Sequence, residues 1–363
     1  MTSVAAYVPA LDGLRALAVI AVMVYHSGLI VGGYLGVDVF FTLSGFLITS
    51  LLVDEYNARG TIGLRNFYYR RALRLLPALF TFLAVWTIVL LSTVPMPFWP
   101  VIWRYVAIVT FYVANWAYML GSQLGIFGHT WSLAIEEQFY FVWPLIILFL
   151  LRSLRSRSKI MLLLLCSAGV SLVWRFYLAL GTKTLDRVYW ATDTHADGLL
   201  IGAALALLVG MKTFSGVVLH CASVGAAIVL VGLLMFTPLG PAFVYGVTSI
   251  IALSTAILIV DVLSDRSWLA LVLEQPWMTW TGRISYGLYL WHFPVFFQLG
   301  ILKLGPGQGI SYERVVLAWV VTFAASAASY LLIERPALAL KTRFAWQSRA
   351  AAITCPSSPE SHR

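Results

Sequence analysis

The sequence predicts an all-α fold, a polytopic bundle of transmembrane helices, and three observations carry that prediction. Of 363 residues, 61% are apolar and only 11% are charged, a balance far from that of soluble domains. Mean hydropathy is +0.88. Apolar runs of about 20 residues, the length that crosses bilayer hydrocarbon, recur along the whole chain.

Taken in order, the runs fall near 12–30, 35–54, 75–93, 130–151, 160–180, 195–211, 215–236, 242–263, 284–302 and 314–333. They read as ten full spans. The first lacks a small-residue cleavage site and is followed by many others, so it reads as a retained span and not as a signal peptide, with the mature chain starting near Met1. An eleventh stretch, 101–120, is interrupted by Arg104, Asn115 and a run of aromatics and leads into GSQLGIFGHT. If it crossed fully, Arg152, Arg155, Arg157 and Lys159 would lie outside, against the bias of basic residues toward the cytoplasm. A helix that only partly inserts returns them inside, with Arg59, Arg65, Arg70, Arg71, Arg74, Lys212, Arg266 and Arg283. The expectation is therefore about ten full spans plus one partially inserted helix, both termini cytoplasmic, in a multi-pass protein of the cytoplasmic membrane.

The formal net charge of +9 is then an orientation signal with some attraction to anionic membrane lipids, and calls for no nucleic acid. Past Glu334-Arg335-Pro336 the apolar pattern stops. Residues 1–340 read as one membrane-embedded domain and 341–363 as a short disordered cytoplasmic tail. Cys166 and Cys221 lie in apolar runs and Cys355 in the tail, which suggests neither a disulfide framework nor a metal site.

Chemistry must then sit among the spans. Arg15 and His26 are eleven residues apart in the first one, which on an α-helix places them within about 20° of one face and roughly 16 Å apart along the axis. Arg15 falls near the cytoplasmic surface and His26 near the outer one. Alone, Arg15 would serve as a snorkelling end charge and His26 as a packing residue. Other ionisable side chains reach the same outer depth: Asp38 on the second span, and Glu136 with Glu137 in HTWSLAIEEQFYFVWPL. Buried carboxylates are costly and face partners or a cavity, so His26 with Glu136 or Asp38 reads as a general base and its orienting acid. A polar clamp between three helices is the competing reading.

On the cytoplasmic side, NFYYRRALRLLPAL carries Arg70, Arg71 and Arg74. Arg70 and Arg74 are i,i+4 neighbours able to offer forked donors to a polyanion, or they anchor the span. Asp193, His195 and Asp197 fall at the outer mouth of another span. His292, in RISYGLYLWHFPV, lies deeper and ranks above His195 as a cavity residue; Tyr286, Tyr289 and Trp291 beside it also suit an interfacial belt and core packing.

Six motifs in order, PALDGLRALAVIAVMVYH, GGYLGVDVFFTLSGFLIT, FYYRRALRLLP, WSLAIEEQFYFVWP, GRISYGLYLWHFPV and the terminal ERP, resemble those of the integral-membrane acyltransferase family 3 proteins. The resemblance covers about residues 7–336. It implies transfer of an acyl group, commonly acetyl, from cytoplasmic acyl-CoA to a hydroxyl of a carbohydrate or of a glycosylated or lipid-linked acceptor at the outer side, without metal. It implies Arg15 and His26 as essential residues and Arg70, Arg71 and Arg74 as donor-handling ones. His26, Glu136 and Asp38 are then the candidate catalytic residues, and Arg15, Arg70, Arg71 and Arg74 hold the donor. Glu137, Trp131, Ser132, Tyr140, His292 and Asp197 line the cavity. Some members carry a fused extracytoplasmic esterase-like domain; here a second transfer step would call on a separate extracytoplasmic partner protein. An acyl-histidine intermediate at His26 and direct attack by the acceptor both stay open. Two rivals suit the same residues: a transporter or flippase without chemistry, and the other large class of membrane O-acyltransferases, for which His292 would be the catalytic histidine.

Overall fold

The structure is a computed structural model that describes residues 7–181, 186–211, 216–240, 243, 245–264, 267–302 and 311–340. Lys212, Arg266, Cys355 and the tail 341–363 lie outside the described residues. Helix α1, Pro9–His26, starts on a proline whose missing N–H costs nothing at a helix start. Asp12 in its first turn complements the helix dipole. Helix α2, Gly36–Arg59, ends at Gly60 in the left-handed conformation, φ 69°. Helix α3, Leu64–Thr93, carries the arginines on its first turns and tolerates Pro77, whose carbonyl accepts from Thr81 Oγ1 at 2.8 Å.

The stretch expected to insert only partly is two short helices, α4 at Trp99–Thr110 and α5 at Ala114–Met119. Between them Tyr112 takes φ 53°, an uncommon value for a residue other than glycine, and the chain turns there. A short 3₁₀ segment, Gly125–Thr130, leads into α6, Trp131–Leu154, and Arg155 at φ 50° breaks the chain before α7, Arg157–Gly181. Helices α8, Asp186–Trp190, α9, Ala196–Val209, α10, Val217–Phe236, and α11, Val247–Val262, follow. Then come α12, Ala270–Leu273, α13, Pro276–Arg283, α14, Ser285–Gln298, and α15, Tyr312–Ser329, which runs on through a wide turn at Tyr330–Glu334. No strand occurs among the described residues.

Each of the ten apolar runs contains a helix. Among the described residues, seven helical segments are long and apolar enough to cross a membrane, while Ala196–Val209 and Val247–Val262 are shorter apolar helices and α14 has 14 residues. The chain is thus a multi-pass membrane protein. Its centre is built by close backbone contact: a Cβ at Gly202 of α9 would meet the Thr42 carbonyl of α2, and one at Gly45 of α2 would meet the Leu199 carbonyl. Small residues that let backbones approach are what holds helices together where lipid is as apolar as leucine. The α2–α9 pair is the post against which α1, α6, α7 and α11 stand, and the site forms on the side of α2 turned toward α1, α3 and α6.

Candidate active site

Between α1, α2, α3, α6 and α14 lies a cavity of about 150 Å³. Arg15 and Arg74 stand at one end, Ser44, Glu136 and Tyr140 along its wall, and Ser132 with Tyr289 at the other end. Arg15, Arg74 and Tyr286 also line a vestibule of about 390 Å³ that includes Asp12, Arg283 and Glu334. The two spaces therefore meet at the arginine pair. Arg74 is exposed into this opening, with Arg15 as its electrostatic neighbour.

The expected triplet of donor-binding arginines is divided. Arg70 reaches Glu55 at 3.6 Å, on a surface where both groups are partly solvated. Arg71 is committed inside: Nη2 lies 2.7 Å from Glu137 and 3.9 Å from Glu136, and its guanidinium stacks 3.2 Å above the Tyr140 ring. Only Arg74 is left, and among the described residues neither Arg74 nor Arg15 is paired with a carboxylate. Two like charges facing one opening, with Asp12 and Glu334 in its lining but no carboxylate at ion-pair distance, suit an anionic ligand.

The wall is a closed polar network. Glu136 accepts from Ser44 at 2.5 Å and from Tyr140, with Arg71 nearby. Glu137 accepts the Arg71 fork. At the far end the Tyr289 hydroxyl meets Ser132 Oγ at 2.5 Å and donates to the His129 carbonyl at 3.0 Å.

Directly behind that pair stand three imidazoles. His26, at the last turn of α1, has Nδ1 3.2 Å from His292 Nε2. His292 is fully buried, and its Nδ1 lies 2.7 Å from the Tyr289 carbonyl and 3.1 Å from that of Leu288. A carbonyl only accepts, so His292 Nδ1 carries the proton and donates it; His292 Nε2 then accepts from His26 Nδ1–H, and His26 Nε2 keeps a free lone pair. This hydrogen-bond chain assigns the tautomers. His26 is half-buried, whereas His292 is sealed inside. The third imidazole, His129, is buried against Phe293, 5.1 Å away and stacked, and has its ring centre 5.5 Å from that of His292.

These placements correct the expected partnership. His26 is oriented by His292 and not by Glu136, whose carboxylate is engaged by Ser44 and Tyr140. Nor does Asp38 join it: Asp38 is buried on the α9 side of α2, with Asp197, Arg175, Tyr34 and Tyr189 as its electrostatic neighbours. Asp197 is likewise no cavity residue, because it forms a wholly buried ion pair with Arg175 at 3.0 Å. Trp131 turns away from the cavity to pack on Tyr189, Trp190 and His195. Ser132, Glu137 and Tyr140 do line it. Sequence reading missed Ser44, Arg175 and His129. His129 precedes the WSL motif in a glycine-rich stretch that reads as a loop, and no spacing rule joins it to His26 or His292.

A bundle that sets unpaired arginines at one end of a buried cavity and histidines behind the other is a membrane-embedded group-transfer site in form, and the comparisons give its class. A profile described as "Acyltransferase domain" matches residues 8–334, so the chain belongs to that acyltransferase family. The chain is similar to a putative peptidoglycan O-acetyltransferase of Bacillus subtilis (strain 168), 38% identical over 91% of this chain and 55% of the relative. It is similar also to the peptidoglycan O-acetyltransferase OatA of Listeria monocytogenes, 34% identical over 91% of this chain and 56% of the relative. A putative O-acetyltransferase of Staphylococcus aureus (strain COL) is 36% identical over 80% and 50%. The chain spans about half the length of the curated relatives it matches. No solved structure matches it.

Proposed function

We propose that this chain moves an acetyl group from cytoplasmic acyl-CoA to a hydroxyl of a carbohydrate at the outer side of the cytoplasmic membrane, with peptidoglycan or a similar glycan as acceptor. The names of the relatives support the acetyl group and the acceptor class. One observation carries the mechanism: the cavity runs between Arg15 and Arg74, neither of them ion-paired, and the hydroxyls of Ser132 and Tyr289, behind which the histidines stand. In this reading the arginines hold the phosphates of the donor and the pantetheine arm occupies the cavity, bringing the thioester to the Tyr289 end. His26 Nε2 takes the proton of the acceptor hydroxyl as its oxygen attacks the thioester carbon. The C–S bond breaks, and the proton passes to the departing thiolate. His292 steadies the imidazolium between these events, the role that an orienting carboxylate has in other bases. Arg70 and Arg71 take no direct part in holding the donor. The topology belongs to the same proposal: α9, α11 and α14 complete ten crossings with the seven longer helical segments, α4–α5 enters only partly, and both ends face the cytoplasm.

The test is direct binding of acetyl-CoA to the purified chain in lipid nanodiscs. An ammonium cannot reproduce a guanidinium fork on phosphate, so Arg15→Lys and Arg74→Lys should each weaken binding about tenfold or more. Arg70→Lys should leave it unchanged. Binding that survives in the Arg15→Lys/Arg74→Lys double variant overturns the assignment of the donor end.

A further inference from the structure

His129 is placed like a working residue and yet is poorly bound. Its side chain is 3% exposed, and neither ring nitrogen makes a hydrogen bond of normal geometry among the described residues. Buried polar groups are nearly always satisfied, and each exception calls for a reason. Packing alone does not supply one. Phe82, Tyr289 and Phe293 surround the ring, and a phenyl group would serve in such a pocket without a desolvation cost.

The position is also held firmly. The His129 carbonyl accepts the Tyr289 hydroxyl at 3.0 Å and the Ser132 hydroxyl at 3.4 Å, which ties the residue to the two groups that end the cavity. Its ring centre lies 5.5 Å from that of His292, which in turn holds His26. A neutral imidazole carries one N–H donor and one lone pair. At His129 the lone pair is open and the N–H has only the Leu290 carbonyl near it, off normal hydrogen-bond geometry, in an aromatic surround beside the base.

We infer that His129 is a third catalytic histidine, whose N–H binds the carbonyl oxygen of the transferring acyl group and stabilises the negative charge that develops there. The inference rests on the acyl-transfer reading and adds to it a residue with a distinct task. His26 moves the proton; His129 forms and breaks no covalent bond. As the acceptor oxygen adds to the thioester carbon, the C=O electrons move onto oxygen and the His129 N–H···O hydrogen bond strengthens. When the C–S bond breaks they return, and the proton taken by His26 leaves with the thiol. A preorganised donor in a water-poor site acts on the transition state more than on the bound substrate, so its removal should appear in kcat and spare donor binding.

The experiment uses the full chain in nanodiscs with acetyl-CoA and a glycan acceptor, reading acceptor-dependent release of CoA thiol per folded molecule, acetyl-CoA affinity and thermal stability. His129→Phe keeps a ring to stack on Phe293 but offers no N–H; His129→Gln loses the ring but offers an amide donor. Loss of one such donor costs about a hundred- to a thousandfold. His129→Phe should therefore lose turnover on that scale with acetyl-CoA affinity within about twofold of wild type. His129→Gln should keep at least tenfold more activity than His129→Phe, although it is the less stable protein. A packing role predicts the reverse order, with stability and activity falling together in His129→Gln. Wild-type-like turnover by His129→Phe overturns the inference and leaves the acyl-transfer reading standing. Absence of acceptor-dependent thiol release from the wild-type protein overturns both.

Discussion

Replacing Arg175 by methionine should cost this protein several kilocalories of stability, and restoring neutrality at Asp197 should return most of them. The guanidinium on α7 is fully buried and makes four contacts: Nη1 with the Thr194 carbonyl at 2.9 Å and Asp197 Oδ1 at 3.4 Å, Nη2 with Asp197 Oδ2 at 3.0 Å and Ser249 Oγ at 3.1 Å. Asp197 lies in the first turn of α9, where the helix dipole favours it, and also accepts from Ser249 at 2.5 Å. In Arg175→Met the carboxylate keeps its hydroxyl partners but faces Asp38 with no cation between them. Removing one member of a buried pair typically costs about 3–5 kcal/mol, whereas replacing both by apolar groups of similar volume is often neutral. The double variant Arg175→Met/Asp197→Leu should thus lie within about 1–2 kcal/mol of wild type, a coupling of about 4 kcal/mol or more in a double-mutant cycle. Equilibrium unfolding of all four proteins in mixed micelles gives the cycle. Additive losses, or an Arg175→Met protein as stable as wild type, would refute the reading of this pair as a clamp.

Three further outcomes follow from the packing and the spans. Gly202→Val forces a side chain into the Thr42 carbonyl of α2 and should destabilise by about 1–3 kcal/mol or more, while Gly198→Ala, whose Cβ would find its nearest neighbour at 3.4 Å, should be tolerated; unfolding midpoints compare them. In a background with Cys166, Cys221 and Cys355 replaced, a cysteine at exposed Leu29 should react with an impermeant thiol reagent on intact cells and one at Ser153 should not; reaction at 153 would place the α6–α7 junction outside. Glu137→Gln leaves Arg71 with weakened pairing inside the bundle and should lower thermal stability more than Glu55→Gln, whose partners Arg59 and Arg70 are partly solvated; equal losses would contradict the division of the arginines.

Element type and order were legible in the sequence; helix rotation was not. Apolar runs located every long helix, and the i to i+11 spacing in α1 placed Arg15 and His26 on one stripe by geometry alone. Asp38 was placed on α2, and the structure turns it to the α9 face of that helix. That helix is buried nearly all round, so no polar side marks which residues turn toward α1 and which toward α9. The same blindness hid the Asp197 pair, since α9 is buried on all sides and Arg175 lies one helix away among residues that look lipid-facing. The arginine triplet read as one cluster because sequence shows spacing and not partners: Glu55 and Glu137, from two other helices, divide it. The GxxxG spacing at Gly198 and Gly202 was there to be read as a helix contact. His129 offered no such signal.

The central claim is that His26 supplies the proton transfer in an acyl-transfer site reached from the Arg15–Arg74 end. It is tested most directly by turnover per folded molecule in His26→Asn, with acetyl-CoA affinity and thermal stability measured on the same preparation. Asparagine keeps a hydrogen-bond donor toward His292 but cannot accept a proton from an alcohol. A general base contributes about a hundred- to ten-thousandfold, so transfer should fall by that factor while affinity and stability stay near wild type. A stable His26→Asn protein that turns over at near-normal rate would contradict the account.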